Sequence, residues 1–268
     1  MSLTDDALYY RLFDAAEQVR WRVQDVPWAA IQHEVIDDDL IGAVRRAVVG
    51  ELQTFGGTRQ LMDLFADDGD FTQWLAVWFY EETKHPHVLT LWLKHAGVVL
   101  TSDDMAAGHE AASFTNSRVV TLASNVVAEA IGAQSYLALA RYSRDPVLAH
   151  IAYRLAGDEA RHGSHFFSYL RREVARSSQP DRDRRRALIV LDMWLRNSEK
   201  VLHPAKTTLD FSGVSGNGVE WTMMRSALED RLSRTFGFLV GEDLSTHDDV
   251  KRAIRKLPAQ RGPTGPSR

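Results

Sequence analysis

The chain contains no cysteine. That excludes disulfides, thiolate metal sites, iron–sulfur clusters and cysteine nucleophiles. Any metal must be held by His, Asp or Glu, a hard donor set that suits iron or manganese without excluding zinc. Long apolar runs are also missing. None approaches the ~18–20 residues needed to cross a bilayer, so no membrane insertion is expected. Neither sign of charge dominates: charged residues make up 25% and the formal net charge is −4. Such a balance exerts no global pull toward nucleic acid or membrane surfaces. The N-terminus, MSLTDDALYYRLFDAAEQ, is acidic and amphipathic and unlike a signal peptide. A cytoplasmic location is the resulting expectation.

Strand-like alternation is absent too, and what fills its place is helical. Over 268 residues with 44% hydrophobic content, apolar positions recur at three- and four-residue spacings. The pattern predicts helices near 5–24, 37–66, 71–96, 103–143, 146–177, 180–201, 217–240 and 246–257. Between them lie ADDGD (66–70), SRDP (143–146), SSQPD (177–181) and the glycine-rich FSGVSGNG (211–218). No fixed-period repeat is present. The expectation is an all-α chain with a single helical domain over 1–257 and a disordered tail, PAQRGPTGPSR, over 258–268.

Against this background some polar residues stand out. In FYEETKHPHV (79–88), Glu82 and His85 are spaced i, i+3, which puts both on one helix face. One ExxH is weak evidence, since charged helix faces produce it by chance. LAGDEARHGSHF supplies a second, Glu159 and His162. Two glutamates are isolated in apolar helical stretches: Glu51 in AVRRAVVGELQTF and Glu129 in LASNVVAEAIGAQSYLALA. Glu129 is nearly the only ionisable residue between Val119 and Ala140, and a buried carboxylate needs a partner.

Spacing joins these four segments. The turn at 66–70 centres on Asp68, 17 residues after Glu51 and 14 before Glu82, and the turn at 143–146 lies about midway between Glu129 and Glu159. In antiparallel hairpins rising ~1.5 Å per residue, each lone glutamate then faces an ExxH at matched height. Packed together, two such hairpins bring four carboxylates and two imidazoles inward. That is an arrangement able to hold two iron or manganese ions in a four-helix bundle. Divalent ions would also cancel the repulsion among the carboxylates. Buried salt bridges or exposed helix faces are the competing explanation, and they do not account for the matched heights.

The order E…ExxH…E…ExxH resembles the ferritin-like diiron-carboxylate superfamily. Three strings, WLAVWFYEETKH (74–85), AEAIGAQSYLALAR (128–141) and AGDEARHGSHFF (156–167), are most similar to the soluble acyl-acyl carrier protein desaturases. The likeness spans about residues 50–170. It implies a ferritin-like four-helix bundle with additional N- and C-terminal helices. Glu51, Glu82, His85, Glu129, Glu159 and His162 match the six ligands, with Glu82 and Glu159 commonly bridging and Glu51 and Glu129 terminal. The resemblance further implies two iron ions (manganese as an alternative), O2 as co-substrate, an electron donor such as ferredoxin, an acyl carrier protein as partner, and a homodimer. Gly132 departs from the family, where many members carry a threonine; the site loses a hydroxyl and gains room, which leaves hydroxylation open beside desaturation. The tyrosine typical of the radical-bearing subunit of ribonucleotide reductase is Leu89 here. The extra histidine of arylamine N-oxygenases is Leu155. A hydroxylase or N-oxygenase acting on a small metabolite is the second enzyme reading, and a metal-binding bundle without turnover is the third.

Secondary roles follow the same logic. Asp158 and Glu81 each precede an ExxH glutamate and are expected to orient His85 and His162 across the bundle. Gly132, Gln134 and Phe166 are candidate substrate-pocket residues. Trp74 and Trp78 suit either an electron route or plain core packing, with core the commoner outcome. RREVARSSQPDRDRRR (171–186), with seven arginines, suits either a dock for an acidic carrier protein or two solvated helix ends. Pro86 cannot donate to the Glu82 carbonyl and predicts an irregularity at 82–86.

Overall fold

The computed structural model describes residues 7–108, 115–196 and 218–258. Among these every regular element is helical. The bundle is made of α2 (Asp38–Leu52) and α3 (Thr54–Leu64), α4 (Gly69–Glu82) and α5 (Lys84–His95), α7 (Arg118–Tyr142) and α8 (Pro146–Arg176). In the first hairpin α2 packs on α5 and α3 on α4; in the second, α7 and α8 pack along their length. Around them lie α1 (Leu8–Glu17), α6 (Ser102–Gly108), α9 (Pro180–Arg196), α10 (Gly218–Val240) and α11 (His247–Lys256).

The breakers in the sequence act as helix caps. Asp37, Asp68, Ser117 and Asp145 each accept a hydrogen bond from a backbone N–H in the first turn of the following helix. Asp145, followed by Pro146 at the first helical position, does more. Its carboxylate also accepts from the Trp92 indole (2.7 Å) and the Gln32 backbone (3.0 Å). The start of α8 is thereby tied to α5 and to the N-terminal segment.

Four expectations about helix extent are corrected. Helix 5–24 stops at Glu17, and the chain runs through three 3₁₀ turns, Val23–Asp25, Trp28–Ala30 and His33–Val35. Trp21 and Val26 bury in that irregular segment, so packing overrides helix continuation. Helix 103–143 is not continuous: α7 begins at Arg118, because Thr115 and Ser117 turn their hydroxyls onto nearby backbone groups. Helices 37–66 and 71–96 are each divided by one residue, Gln53 and Thr83. The Thr83 break falls inside 82–86. Pro86 sits third in α5, where its missing N–H is an orphan of a helix start. The 197–201 end of the expected helix 180–201, 211–217 of the glycine-rich loop and 259–268 of the tail lie outside the described residues.

Two apolar clusters fill the interior. One contains Leu61, Trp74, Trp78, Val127, Ile131, Phe166 and Tyr169. The other contains Val48, Leu52, Val88, Trp92, Tyr136, Leu155 and Ala156. On α4–α5 the change from one to the other falls between Trp78 and Val88, and on α8 between Ala156 and Phe166. Those intervals hold the two ExxH motifs. The polar residues thus form a layer between two dry compartments.

Candidate metal centre

The six predicted ligands come together as two overlapping groups. Glu51, Glu82, His85 and Glu159 form one, and Glu82, Glu129, Glu159 and His162 the other. In each, one ligand atom per residue lies within 4.8 Å of the others, and all are buried. Glu82 and Glu159 belong to both groups. The imidazole rings are nearly parallel, with centroids 6.0 Å apart. Each directs Nδ1 inward: His85 Nδ1 lies 3.4 Å from Glu51 and Glu159, and His162 Nδ1 2.7 Å from Glu82.

Electrostatics make this a strained set of neighbours. Burial pushes the Glu51 carboxyl up to about 7, against the opposing hydrogen bond from His85. Burial and the Glu159 charge push Glu129 well above the carboxylate range. Burial also acts on Glu159, but His85 and Glu129 outweigh it and hold that carboxyl low. Although burial opposes charge on the imidazoles, the surrounding carboxylates hold His85 and His162 well above the usual histidine value. Three inward donor atoms, Glu82 Oε1, Glu129 Oε2 and His162 Nδ1, make no hydrogen bond among the described residues. The short Glu82–His162 contact is misaligned for one. Buried lone pairs left facing one another are costly without a cation. The donor set therefore fits a pair of divalent ions, with Glu82 and Glu159 common to both groups.

The outward edges of both histidines face carboxylates across the bundle, with a hydrogen bond at His162. Glu81 Oε2 lies 3.0 Å from His162 Nε2, and Asp158 Oδ2 lies 3.5 Å from His85 Nε2. Each carboxylate thus faces the histidine of the opposite ExxH. Arg161 bridges the two, at 2.7 Å from Asp158 and 3.0 Å from Glu81. Burial raises Glu81, yet His162 and Arg161 bring it down to about 2. The Trp21 indole donates to Asp158 Oδ2 (2.8 Å), and Lys84 Nζ sits 3.7 Å from the same oxygen and 4.7 Å above the Trp21 ring.

Sequence reasoning missed several of these residues. Tyr136 donates its hydroxyl to Glu51 Oε1. It lies two helical turns beyond Glu129, so helical periodicity was the available signal. Trp78 donates to Glu129 Oε1 at 3.1 Å, while Trp74, its neighbour, donates to His165 Nδ1 at 3.1 Å. Trp21 reaches Asp158 from an irregular segment and carried no spacing signal.

The pocket candidates are placed differently from expectation. A Cβ at Gly132 would fall 2.9 Å from the Glu159 carboxyl carbon, so the room there is taken by Glu159 and is not free for substrate. Phe166 packs edge-on against Trp74 and Trp78 in the core. Gln134 is partly exposed. None of the three lines the cavity beside the centre. That cavity is walled by Val126, Ala130, Glu159, Phe167, Arg231 and Leu232, among others. Of the arginines in 171–186, Arg172 pairs with Asp68 and Asp70, Arg184 with Asp181, and Arg186 with Asp183, while Arg185 donates to the Ile254 carbonyl. Arg172 and Arg185 fasten α8 and α9 to other segments, while the Arg184 and Arg186 pairs lie within α9. No described helix is long and apolar enough to cross a membrane.

No protein-family model and no curated protein matches the sequence. Solved structures do. An R2-like ligand-binding oxidase point mutant with aerobically reconstituted Mn/Fe cofactor superposes with a TM-score of 0.64 at 14% identity, over 91% of this chain and 96% of that one. A long-soaked R2-like ligand-binding oxidase with the same cofactor gives 0.62 at 14%, over 96% and 95%. An anaerobically reconstituted mutant gives 0.59 at 13%, over 95% and 94%. At these identities the likeness is one of fold, and it does not carry the desaturase resemblance. The chain has the ferritin-like helical bundle fold seen in the R2-like oxidases, with a buried carboxylate and histidine cluster at its centre.

Proposed function

We propose that this chain is an O2-activating dimetal oxidase. The observation that carries the reading is the pair of buried Glu/His groups sharing Glu82 and Glu159. Two irons, or a Mn/Fe pair like that named for the fold neighbours, suit the donors. A metal pair held there would supply the O2-activating redox chemistry for a molecule bound alongside. The chain's own residues do the rest. Glu82 and Glu159, common to both groups, would serve both metal positions, and Glu51 and Glu129 one each. Tyr136 and Trp78 hold the Glu51 and Glu129 carboxylates by hydrogen bonds. Glu81 and Asp158 fix the imidazole rings so that Nδ1 faces inward. The apolar layers on either side keep water out.

The reading requires an external electron donor, of which a ferredoxin is the expected kind. The desaturase-like strings favour an acyl or carrier-tethered substrate, and a homodimer belongs to the same resemblance. The cavity favours a second reading, a compact metabolite that is hydroxylated or N-oxygenated. Anaerobic loading with ferrous iron, followed by air, tests the oxidase. The expectation is about two metals per chain and O2 uptake. Glu82→Ala and Glu159→Ala should lose both metals, and Glu51→Ala and Glu129→Ala chiefly one. Sub-stoichiometric loading without O2 uptake would sink the proposal.

A further inference from the structure

The cavity beside the centre lies between α7, α8 and α10 and has a volume of ≈ 270 Å³. Its walls are mainly apolar, with Val126 and Ala130 from α7, Phe167 from α8 and Leu232 from α10, and Ser164 and Thr235 add hydroxyls. Two charged residues face it, Glu159 and Arg231. Arg231 Nη2 donates to the Ala130 carbonyl at 2.8 Å, which sets the guanidinium beside the residue that follows Glu129. No carboxylate among the described residues pairs with Arg231. The contrast with other inward arginines is plain: Arg161 is held by Glu81 and Asp158, and Arg172 by Asp68 and Asp70. Burial alone pulls Arg231 below the ordinary arginine range. A guanidinium has five N–H donors in a fixed fork, so one bond to a carbonyl leaves most of them available.

We infer that this cavity binds a compact carboxylate with an apolar body, its anionic end paired with Arg231 and its body alongside Glu159. The proposal takes its chemistry from the dimetal reading but not its binding. Three features decide the class. An unpaired cation in an apolar wall favours a charge-assisted, two-pronged bond to a carboxylate. The negative Glu159 at the same cavity repels that head and so directs it toward Arg231, which fixes the orientation. The volume falls just under the ~300–1,000 Å³ of common ligand sites, so a short or single-ring acid fits better than a long acyl chain.

Titration calorimetry on the metal-free protein, with 4-phenylbutyrate, its neutral amide 4-phenylbutyramide, and hexadecanoate, tests this. Phenylbutyrate should bind saturably, and the amide at least tenfold more weakly. Arg231→Gln keeps a donor for the Ala130 carbonyl but loses the charge. It should weaken phenylbutyrate at least tenfold with little change in melting temperature, and Arg231→Lys should recover part of the loss. Should Arg231→Gln fail to fold, Ser164→Trp at the exposed rim must block binding on its own. Equal binding of acid and amide, no effect of Arg231→Gln on phenylbutyrate, tighter Arg231-dependent binding of hexadecanoate, or no binding of phenylbutyrate would each overturn the inference. If phenylbutyrate binds as described while the protein fails to load metal, the cavity proposal stands and the oxidase reading falls.

Discussion

Glu159 occupies the space that a side chain at Gly132 would need: a Cβ there would lie 2.9 Å from its carboxyl carbon and 3.1 and 3.2 Å from its oxygens. The glycine is a condition for placing a glutamate shared by both groups. Gly132→Thr should therefore push Glu159 off the shared position. The expected result is at least a tenfold loss of metal affinity in chelator competition. The metal-free fold should lose only the ~1–3 kcal/mol typical of overpacking. Unchanged metal affinity would show that Glu159 has another position to adopt.

The outer carboxylates act crosswise. Asp158→Asn should weaken the metal position that includes His85, and Glu81→Gln the one that includes His162, each by roughly 10–100-fold. Trp21→Phe removes one of several bonds to Asp158 and should do less, about 1 kcal/mol. Resolving the two positions by site-specific spectroscopy of the loaded variants checks the pairing. Weakening on the same side as the substitution would contradict it.

Pro86→Ala separates metal geometry from stability. The new N–H can reach the Glu82 carbonyl and close the gap between α4 and α5. The restored bond, worth ~0.5–1.5 kcal/mol, is offset by the extra freedom of the unfolded chain, ~0.4–1 kcal/mol. Unfolding of the metal-free protein should change little. His85 lies next to the repaired segment, so metal affinity at its position should fall. Loss of stability without loss of metal binding would mean that the break at Thr83 serves packing alone.

His165 provides a pH dependence outside the six ligands. It is buried, accepts from the Trp74 indole, and is brought down to about 3 by burial and then by the His162 and Arg161 charges. Its folded value lies below the unfolded ~6.5. Its contribution is thus complete above pH ~6.5 and is lost as pH falls toward 3. Between pH 6.5 and 5 this amounts to about 2 kcal/mol at most. Denaturant unfolding of the metal-free protein should show that loss relative to His165→Gln, which can still accept from Trp74. Parallel pH curves for the two proteins would rule it out.

The legible part of the site was the part that obeys helix periodicity. Glu82 with His85 and Glu159 with His162 share a face because i and i+3 are neighbours on a helix, and Glu129 showed itself by isolation in an apolar stretch. Asp158 and Glu81 could be named because they adjoin those motifs. Trp21 could not, since it arrives from a segment with no period. Gly132 was read as free space because a missing side chain says nothing about which neighbour fills the gap. Phe166 was set at the pocket when it is its neighbour Phe167, one step round α8, that faces it.

What the sequence by itself determined is the donor set, the helical class and the height at which the donors meet. These depend on residue type, local period and distance from a turn, all of which are linear quantities. Only the tertiary structure decided that Glu159 fills the space beside Gly132, that Trp21 reaches Asp158 from an irregular segment, and that Arg231 from a distant helix faces the cavity with no carboxylate among the described residues paired to it. Those facts depend on how helices rotate and pack against one another. Burial, which decides whether a charge needs a partner, exists only once the chain has folded.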